Sequence, residues 1–146
     1  MISFVRVQDD DGKILHTIGF FKDRTESYNA KQKIEELAFS DALTGLPNRL
    51  LLEERINQSI THASRSNGEF ALLFLDLDNF KQINDSLGHP FGDRVLIEVT
   101  ERLKNCLRQV DTAARLGGDE FVLLLHQANA SGAEICARRV LADLAA

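Results

Sequence analysis

Two adjacent glycines followed by two carboxylates constrain this chain more than any other feature. Gly117-Gly118-Asp119-Glu120 lies between two short stretches of β character, Thr112 to Ala114 and Phe121 to Leu125. Strand-forming residues on both sides of a Gly-Gly pair predict a β-hairpin with the glycines at its turn. Such a tip presents acids beside unobstructed backbone, which suits a divalent cation with a phosphate ester behind it. Taken alone, the four residues are better explained as a solvated acidic turn, so the rest of the chain has to decide.

The composition limits the class of protein. The chain has 146 residues, which is enough for one ordinary domain, and 44% apolar with 27% charged residues is typical of a globular protein. Its net charge is -5, and it contains no run of Lys and Arg, so a nucleic-acid duplex is not expected as a partner. Phosphate chemistry on a negatively charged chain usually needs metal ions to offset repulsion, in keeping with the predicted hairpin.

The two cysteines and the hydropathy indicate the compartment. Cys106 and Cys136 lack C-x-x-C spacing and a nearby histidine cluster, so we predict that both are small buried hydrophobes in a reduced, cytoplasmic protein. No apolar stretch approaches the roughly 18 residues of a membrane helix. The N-terminus also lacks the layout of a signal peptide. We therefore expect a soluble chain.

The first 40 residues have a different residue pattern from the rest of the chain. Residues 2–7 and 13–21 are β-rich and flank Asp11-Gly12, which predicts a hairpin. Because a lone two-stranded hairpin is marginal in water, this piece is expected to be the end of a larger sheet. Residues 24–40 predict a connecting helix. Its apolar residues Ile34 and Leu37 are too few to indicate a coiled coil, although a short dimerising helix is possible.

From Asp41 onward, helices and strands alternate. The turn-rich segment Asp41 to Arg49 precedes predicted helices at about 50–63, 80–87, 93–107 and 131–144. Phe70 to Leu75 is a continuous apolar run, which predicts a central strand buried on both faces. The pattern indicates an α/β domain.

Two aspartates end this apolar run. Asp76 and Asp78 should point to opposite faces if the strand continues, so only one of them is expected to be catalytic. Asp76 could meet Asp119 or Glu120 where the hairpin tip lies beside the end of the strand, forming a two-carboxylate site for a hard cation. The alternative is that the two aspartates cap the helix that begins near Phe80. Asp78 is the better candidate for that role.

Three separate stretches resemble the GGDEF domain of the diguanylate cyclase family. The first is Asp41 to Arg49, which matches the family's D-x-L-T-x-L-x-N-R entry. The second is Phe74 to Asp93, which reads Phe-Leu-Asp-Leu-Asp-Asn-Phe-Lys-Gln-Ile-Asn-Asp and continues to Gly88-His89 and Gly92-Asp93. The third is Gly117 to Phe121, the signature itself. Order and spacing agree throughout residues 41–125. Residues 2–26 resemble, less specifically, the last two strands of a PAS sensor domain.

The resemblance implies a fold, a reaction and a domain plan. The fold is α/β and palm-like, a nucleotidyl cyclase-type sheet flanked by helices. The reaction condenses two GTP molecules to cyclic di-GMP and releases pyrophosphate, with one GTP on each subunit of a homodimer. The plan assigns 1–26 to a PAS-like sensor, 27–40 to a linker helix and 41–146 to the GGDEF domain. That domain is expected to be incomplete at the C-terminus, where the family continues with further strands and a last helix.

The resemblance also implies roles for the residues around the predicted metal. Asp76 and Asp119 match the carboxylates that bind Mg²⁺ (or Mn²⁺), and Leu77 matches a position that offers its backbone carbonyl. Glu120 either assists the metal or deprotonates the attacking hydroxyl, and both roles stay open. Gly117 and Gly118 let backbone N–H groups approach the phosphates.

Two further pairs match nucleotide-reading positions of the family. Asn84 and Asp93 match the guanine-reading pair, since a carboxylate accepts from the N–H edge of guanine and an amide both donates and accepts. Asp93 can also serve as a helix N-cap. Arg108 and Asp111 form an R-x-x-D that matches the inhibitory product site, where cyclic di-GMP acts as feedback inhibitor. Phe80 and Lys81 are expected to support the site, and His89 is assigned no chemistry.

Other functional classes stay in view. The chain could be a catalytically inactive fragment, a module that binds GTP or cyclic di-GMP, or a structural, dimerising segment. Against an inactive module, Asp76 and all four residues Gly117 to Glu120 are present. A different palm-fold nucleotidyltransferase is possible from the acids alone, but Asn84, Asp93 and the R-x-x-D favour guanine and cyclic di-GMP.

Overall fold

The computed structural model describes residues 2–8, 12, 14–21 and 38–145, and the chain divides into two compact units, 1–35 and 36–146. In the first unit, β1 (Ile2–Gln8) and β2 (Ile14–Phe21) form an antiparallel hairpin in which Ile2 lies opposite Phe21. The hairpin predicted around Gly12 is therefore confirmed. Most of the connecting helix predicted over residues 24–40 lies outside the described residues. The assignment of residues 1–26 to a PAS-like domain stays a prediction.

The second unit alternates helices and strands as predicted. After an entry segment, 38–48, its elements are α1 (Arg49–Ser66), β3 (Phe70–Asp76), α2 (Phe80–Leu87), α3 (His89–Cys106), β4 (Thr112–Gly117), β5 (Glu120–His126) and α4 (Ala130–Leu144). The α2 bounds agree with the prediction, whereas α1 is longer at both ends. Helix α3 begins four residues earlier than predicted, because Pro90 is tolerated in the first turn of a helix.

The three strands of this unit form an antiparallel sheet with the order β3-β5-β4. Along β3 and β5 the register runs from Phe70 opposite His126 to Asp76 opposite Glu120. The central strand is thus β5, and the prediction that β3 is the central, fully buried strand is wrong. Phe74 of β3 is 74% exposed, whereas Phe121 to Leu125 of β5 are all buried.

Apolar side chains cover both faces of β5. On one face, Phe121, Leu123 and Leu125 pack with Leu96, Leu103 and Val140 from α3 and α4. On the other face, Val122 and Leu124 pack with Leu52 of α1 and Ala114 of β4. Because successive strand residues point to opposite faces, a strand between two helical layers is apolar at every position.

Side chains at the helix termini explain several boundaries. Asn48 and Asn129 are the N-caps of α1 and α4, and their side chains accept from the backbone N–H groups of Leu51 and Gly132 at 3.1 and 2.9 Å. Helix α2 ends at Leu87, and the N–H of its C-cap residue, Gly88, donates to the Asn84 carbonyl at 2.9 Å. Within the described residues, no helix is long and apolar enough to cross a membrane.

Candidate functional site

The acidic signature forms the tip of the β4–β5 hairpin. Gly117 ends β4, Gly118 and Asp119 form the turn, and Glu120 begins β5. The turn is therefore Gly118-Asp119, one residue later than the predicted Gly-Gly, because Leu116 forms an irregularity in the ladder. Gly117 and Gly118 have φ of 140° and 55°, values that favour glycine, and a Cβ at either position would have nothing within 4 Å. The backbone conformation thus favours glycine at both positions, and no neighbouring atom fills the space beside the tip.

The sheet register brings two predicted acids together. Asp76, at the end of β3, lies directly opposite Glu120, and Glu120 also pairs with Gly117 on its other side. Residues directly opposite in an antiparallel pair point to the same face, with Cβ atoms about 4.5–5.5 Å apart. Both carboxylates are exposed. Since like charges in this arrangement repel, a cation bound between them would remove a destabilising interaction.

The other predicted metal ligands lie beside this pair. Asp119, half-buried, immediately precedes Glu120, and Leu77, with its backbone carbonyl, immediately follows Asp76. That carbonyl accepts from the Phe80 N–H at 3.1 Å, which leaves one lone pair free. Among the described residues, no group of three His, Cys, Asp or Glu side chains could hold a metal by itself. The set fits Mg²⁺, which is usually held by one or two carboxylates and completed by phosphate oxygens and water.

Neither aspartate after the apolar run caps α2. The N-cap residue of α2 is Asn79, in the left-handed region and without a side-chain capping bond. The alternative role predicted for Asp78, as an N-cap, is therefore wrong. Strand β3 ends at Asp76, and Asp78 lies in the exposed turn that follows. Only Asp76 has a register position opposite the hairpin acid.

An arginine fixes the hairpin tip from behind. Arg115 donates through Nε and Nη2 to the Gly118 carbonyl at 3.0 and 2.7 Å, and through Nη1 to Asp41 Oδ1 at 2.9 Å. Its backbone N–H donates to the Pro47 carbonyl at 3.0 Å. The entry segment is therefore attached to the same residue that holds the turn.

The bonds of Arg115 also orient the turn peptide. In a trans peptide the C=O and the following N–H point in opposite directions. Because the Gly118 carbonyl is directed to the Arg115 guanidinium, the N–H of Asp119 points to the other side of the turn. Together with the open glycines, this supplies a backbone donor of the kind that binds phosphate oxygens.

The Asp41 carboxylate is the other half of this arrangement. Burial raises its pKa, but hydrogen bonds from the Thr44 hydroxyl and N–H, at 2.6 and 2.9 Å, and from Arg115 outweigh burial, so that the pKa lies below its usual value. Asp41 is thus charged at neutral pH and pairs with a guanidinium whose side chain is only 10% exposed.

The predicted guanine-reading residues lie on α2 and α3. Asn84 is half-buried on α2, and its side chain lies against Gly92, the residue before Asp93. Asp93 lies within α3, which begins at His89, so its predicted role as an N-cap is wrong. Phe80 is buried and Lys81 is exposed. Helix α2 begins four residues after Asp76, so it leaves the sheet at the end that carries the hairpin tip.

The R-x-x-D motif lies at the opposite end of the sheet. Arg108 and Asp111 line a cleft of about 400 Å³, together with Leu125, His126, Cys136 and Arg139. The Asp111 carboxylate accepts from the backbone N–H groups of Arg108 and His126 at 3.1 and 3.0 Å. The six-residue rise from Phe70 to Asp76 puts this cleft about 20 Å from the hairpin tip.

Sequence reasoning missed four residues that shape these sites. They are Asp41 and Arg115, which hold the turn, Gly92, which contacts Asn84, and Arg139, which lines the cleft and donates to the Cys106 carbonyl. Asp41 and Gly92 lie within stretches that carry the family resemblance, and Arg115 lies two residues before Gly117, so their positions are the signal that could have found them. Arg139 carries no comparable local signal.

Known proteins match most of the second unit. The family model described as diguanylate cyclase, GGDEF domain, matches residues 38–146. The bifunctional diguanylate cyclase/cyclic di-GMP phosphodiesterase MucR of Pseudomonas aeruginosa is 47% identical over 117 residues, which is 80% of this chain and 17% of MucR.

Solved structures resemble the same region. An N-terminal deletion mutant of TpbB (YfiN) from Pseudomonas aeruginosa, comprising only the GGDEF domain, has a TM-score of 0.71 and 42% identity, covering 73% of this chain and 63% of that one. The coiled coil and GGDEF domain of DgcB from Caulobacter crescentus, in complex with c-di-GMP, has a TM-score of 0.74 and 26% identity, covering 79% and 60%. The α+β architecture is that of these structures.

Proposed function

The chain belongs to the diguanylate cyclase, GGDEF domain family, and from this premise we propose that it condenses two GTP molecules to cyclic di-GMP. The observation that carries the proposal is the register that sets Asp76 opposite Glu120, with Gly117 on the other side of Glu120. Two acids beside open backbone suit a metal-bound triphosphate.

The metal would be held by residues of the hairpin tip and of β3. Asp76 and Asp119 are the proposed carboxylate ligands, and Leu77 offers its carbonyl. When bound, Mg²⁺ or Mn²⁺ neutralises charge on the phosphates. The Asp119 N–H, directed away from Arg115, is proposed to donate to a phosphate oxygen, and Gly117 and Gly118 leave room for that approach.

The reaction needs two nucleotides and therefore two chains. The 3′-oxygen of one GTP forms a bond to the α-phosphorus of the other, and the bond between the α-phosphorus and its bridging oxygen breaks to release pyrophosphate. Repeating the step in the opposite sense closes the ring. Glu120 is exposed at the start of β5 and is the proposed acceptor of the 3′-hydroxyl proton, with assistance to the metal as the alternative. A homodimer would place two such sites face to face.

Base selection is assigned to α2 and α3. Asp93 accepts from the N1–H and N2–H₂ edge of guanine, and Asn84 supplies an amide beside it. Adenine lacks that donor edge, so it would leave the carboxylate without a partner.

We propose the cleft at the far end of the sheet as the product site. Arg108 and Arg139 line it, which suits the two phosphates of cyclic di-GMP, and Asp111 fixes the loop that carries Arg108. With about 20 Å between cleft and hairpin tip, bound product would not occupy the substrate site. Inhibition would then be non-competitive with GTP.

The test is synthesis of cyclic di-GMP from GTP with Mg²⁺, with and without EDTA. We expect product from the parent chain and a loss of about 10³-fold or more in Asp119→Ala, because the proposed metal loses a carboxylate ligand. Asp78→Ala is the matched control, since this acid is exposed and lies outside the site; it should retain parental activity. Absence of product from a folded parent, or equal activity in the Asp119 and Asp78 variants, would overturn the proposal.

A further inference from the structure

Gly92 of α3 lies against the Asn84 side chain of α2. Gly92 is buried in the first turn and a half of α3, and a Cβ built on it would lie 2.0 Å from Asn84 Oδ1 and 3.0 Å from Asn84 Cγ. The Asn84 amide thus occupies the space that any side chain at position 92 would need. The next neighbour, Phe80 Cζ, is at 3.2 Å, which a small shift would relieve.

Glycine is otherwise a poor choice for this position. In a helix it is less favourable than alanine, since it loses more backbone freedom on folding and buries no side chain. Its φ at position 92 is not in the left-handed region, so backbone conformation does not require it. What glycine provides here is room for the close approach of the Asn84 side chain to the helix backbone.

This contact also sets which end of the Asn84 amide is available. The Oδ1 end is packed against Gly92, so the NH₂ end is the one left for a ligand. Guanine presents the O6 and N7 acceptors, whereas adenine replaces O6 with an amino donor. N7 is an acceptor in both bases, so an amide held with its NH₂ outward favours guanine at O6, and Asp93, the next residue of α3, adds an acceptor.

From this geometry we infer that Gly92 is a specificity-determining positioning residue, which holds the Asn84 amide in the orientation that distinguishes guanine from adenine. The inference rests on the proposed function. Gly92 would act only through Asn84, and it would not touch the nucleotide. A side chain at position 92 displaces the amide while leaving Asn84, Asp93 and the hairpin acids in the chain.

The test is a double-mutant cycle on nucleotide affinity, measured by calorimetry with GTP and with ATP in Mg²⁺. Gly92→Ala should lower the affinity for GTP about tenfold, which is the contribution of one hydrogen bond, and leave the affinity for ATP unchanged. Asn84→Ala should have a similar effect. In the Asn84→Ala background, Gly92→Ala should not lower the affinity for GTP further, because that background lacks the amide that the new Cβ would displace.

A second readout and a control make the cycle decisive. The thermal midpoint should fall in Gly92→Ala alone, and should stay level or rise when the same change is made in Asn84→Ala, since alanine is the better helix residue. Gly132→Ala is the matched control. A Cβ there meets no atom closer than 3.5 Å, so GTP affinity should stay parental.

The outcomes separate the two claims. Suppose that the parent binds GTP. If the Gly92→Ala variant then has the same GTP affinity as the parent, or if Gly92→Ala lowers GTP affinity equally in the parent and Asn84→Ala backgrounds, the role of Gly92 is overturned while the proposed function stands. If the folded parent binds no GTP, the proposed function is overturned and this inference with it.

Discussion

Arg115 and Asp41 are 74 positions apart in the chain, yet Nη1 of the arginine lies 2.9 Å from Oδ1 of the aspartate. The same guanidinium donates twice to the Gly118 carbonyl at the hairpin tip. One planar cation therefore joins the entry segment to the turn that carries the proposed metal ligands. Its five donors in a fixed fork suit this task, which a lysine could fill only in part.

Replacing Arg115 by Lys should lower the free energy of unfolding by about 1–3 kcal/mol, because the change leaves the half-buried Asp41 and the Gly118 carbonyl without the bonds of the fork. The measurement is urea denaturation. Arg138→Ala is the control, since the pair between Arg138 and Glu134 is exposed at 77% and 62% and should contribute less than about 1 kcal/mol. Equal losses in the two variants would contradict the role of Arg115.

The Asp41 carboxylate should make stability dependent on acid pH. Its pKa in the folded chain lies below the usual 3.8, so its contribution is present above about pH 4 and is lost as the pH falls through the folded pKa. Asp41→Asn should be less stable than the parent at pH 7, and the difference should shrink below about pH 4. Unfolding curves between pH 7 and pH 3 measure it; a constant difference over that range would speak against the assignment.

Replacing Arg108 and Asp111 by Ala, one at a time, should have different effects, the first on product inhibition and the second on stability. Arg108→Ala should raise the cyclic di-GMP concentration for half-inhibition about tenfold or more, because a charge-assisted contact to the product is lost. Asp111→Ala should instead lower the free energy of unfolding by about 1–3 kcal/mol, since its carboxylate binds the N–H groups of Arg108 and His126. Inhibition assays and denaturation are run on both. Unchanged inhibition in Arg108→Ala would remove the product site.

The two thiols should be protected until the chain unfolds. Cys106 and Cys136 are 5% and 7% exposed, and burial, then the nearby Asp143 charge, raise the pKa of the Cys106 thiol. Labelling with a chromogenic disulfide reagent at pH 8 should be on the order of 10³-fold slower than in urea, because it waits for opening of the core. Rapid labelling of both thiols in the native chain would refute this.

Local patterns predicted many elements of the second unit. The bounds of α2 follow from Phe80 and from Gly88, which punctuates its end, and the hairpin follows from the glycines between β-rich runs. Errors arose where a pattern had two local solutions. Pro90 allowed α3 to start before Asp93, and the irregularity at Leu116 moved the turn by one residue.

The roles of the two apolar strands could not be separated from the sequence. Phe70 to Leu75 and Phe121 to Leu125 are both continuous apolar runs, and burial on both faces was predicted for the first. In the structure the strand that is buried on both faces is β5, since β5 pairs on both edges and lies between two helical layers. Which strand occupies the centre depends on pairing partners, and a hydrophobic run does not specify its partner.

The sequence by itself determined the family, the acids of the signature and most helices and strands, because turns, caps and periodic faces depend on neighbours within a few residues. Only the tertiary structure decided that Asp76 lies opposite Glu120, that Asp41 pairs with Arg115 and that Asn84 fills the space beside Gly92. Each of these contacts joins distinct elements, and its geometry follows from strand register or from how helices pack. Those are settled by burial of the whole core, which is cooperative and non-directional.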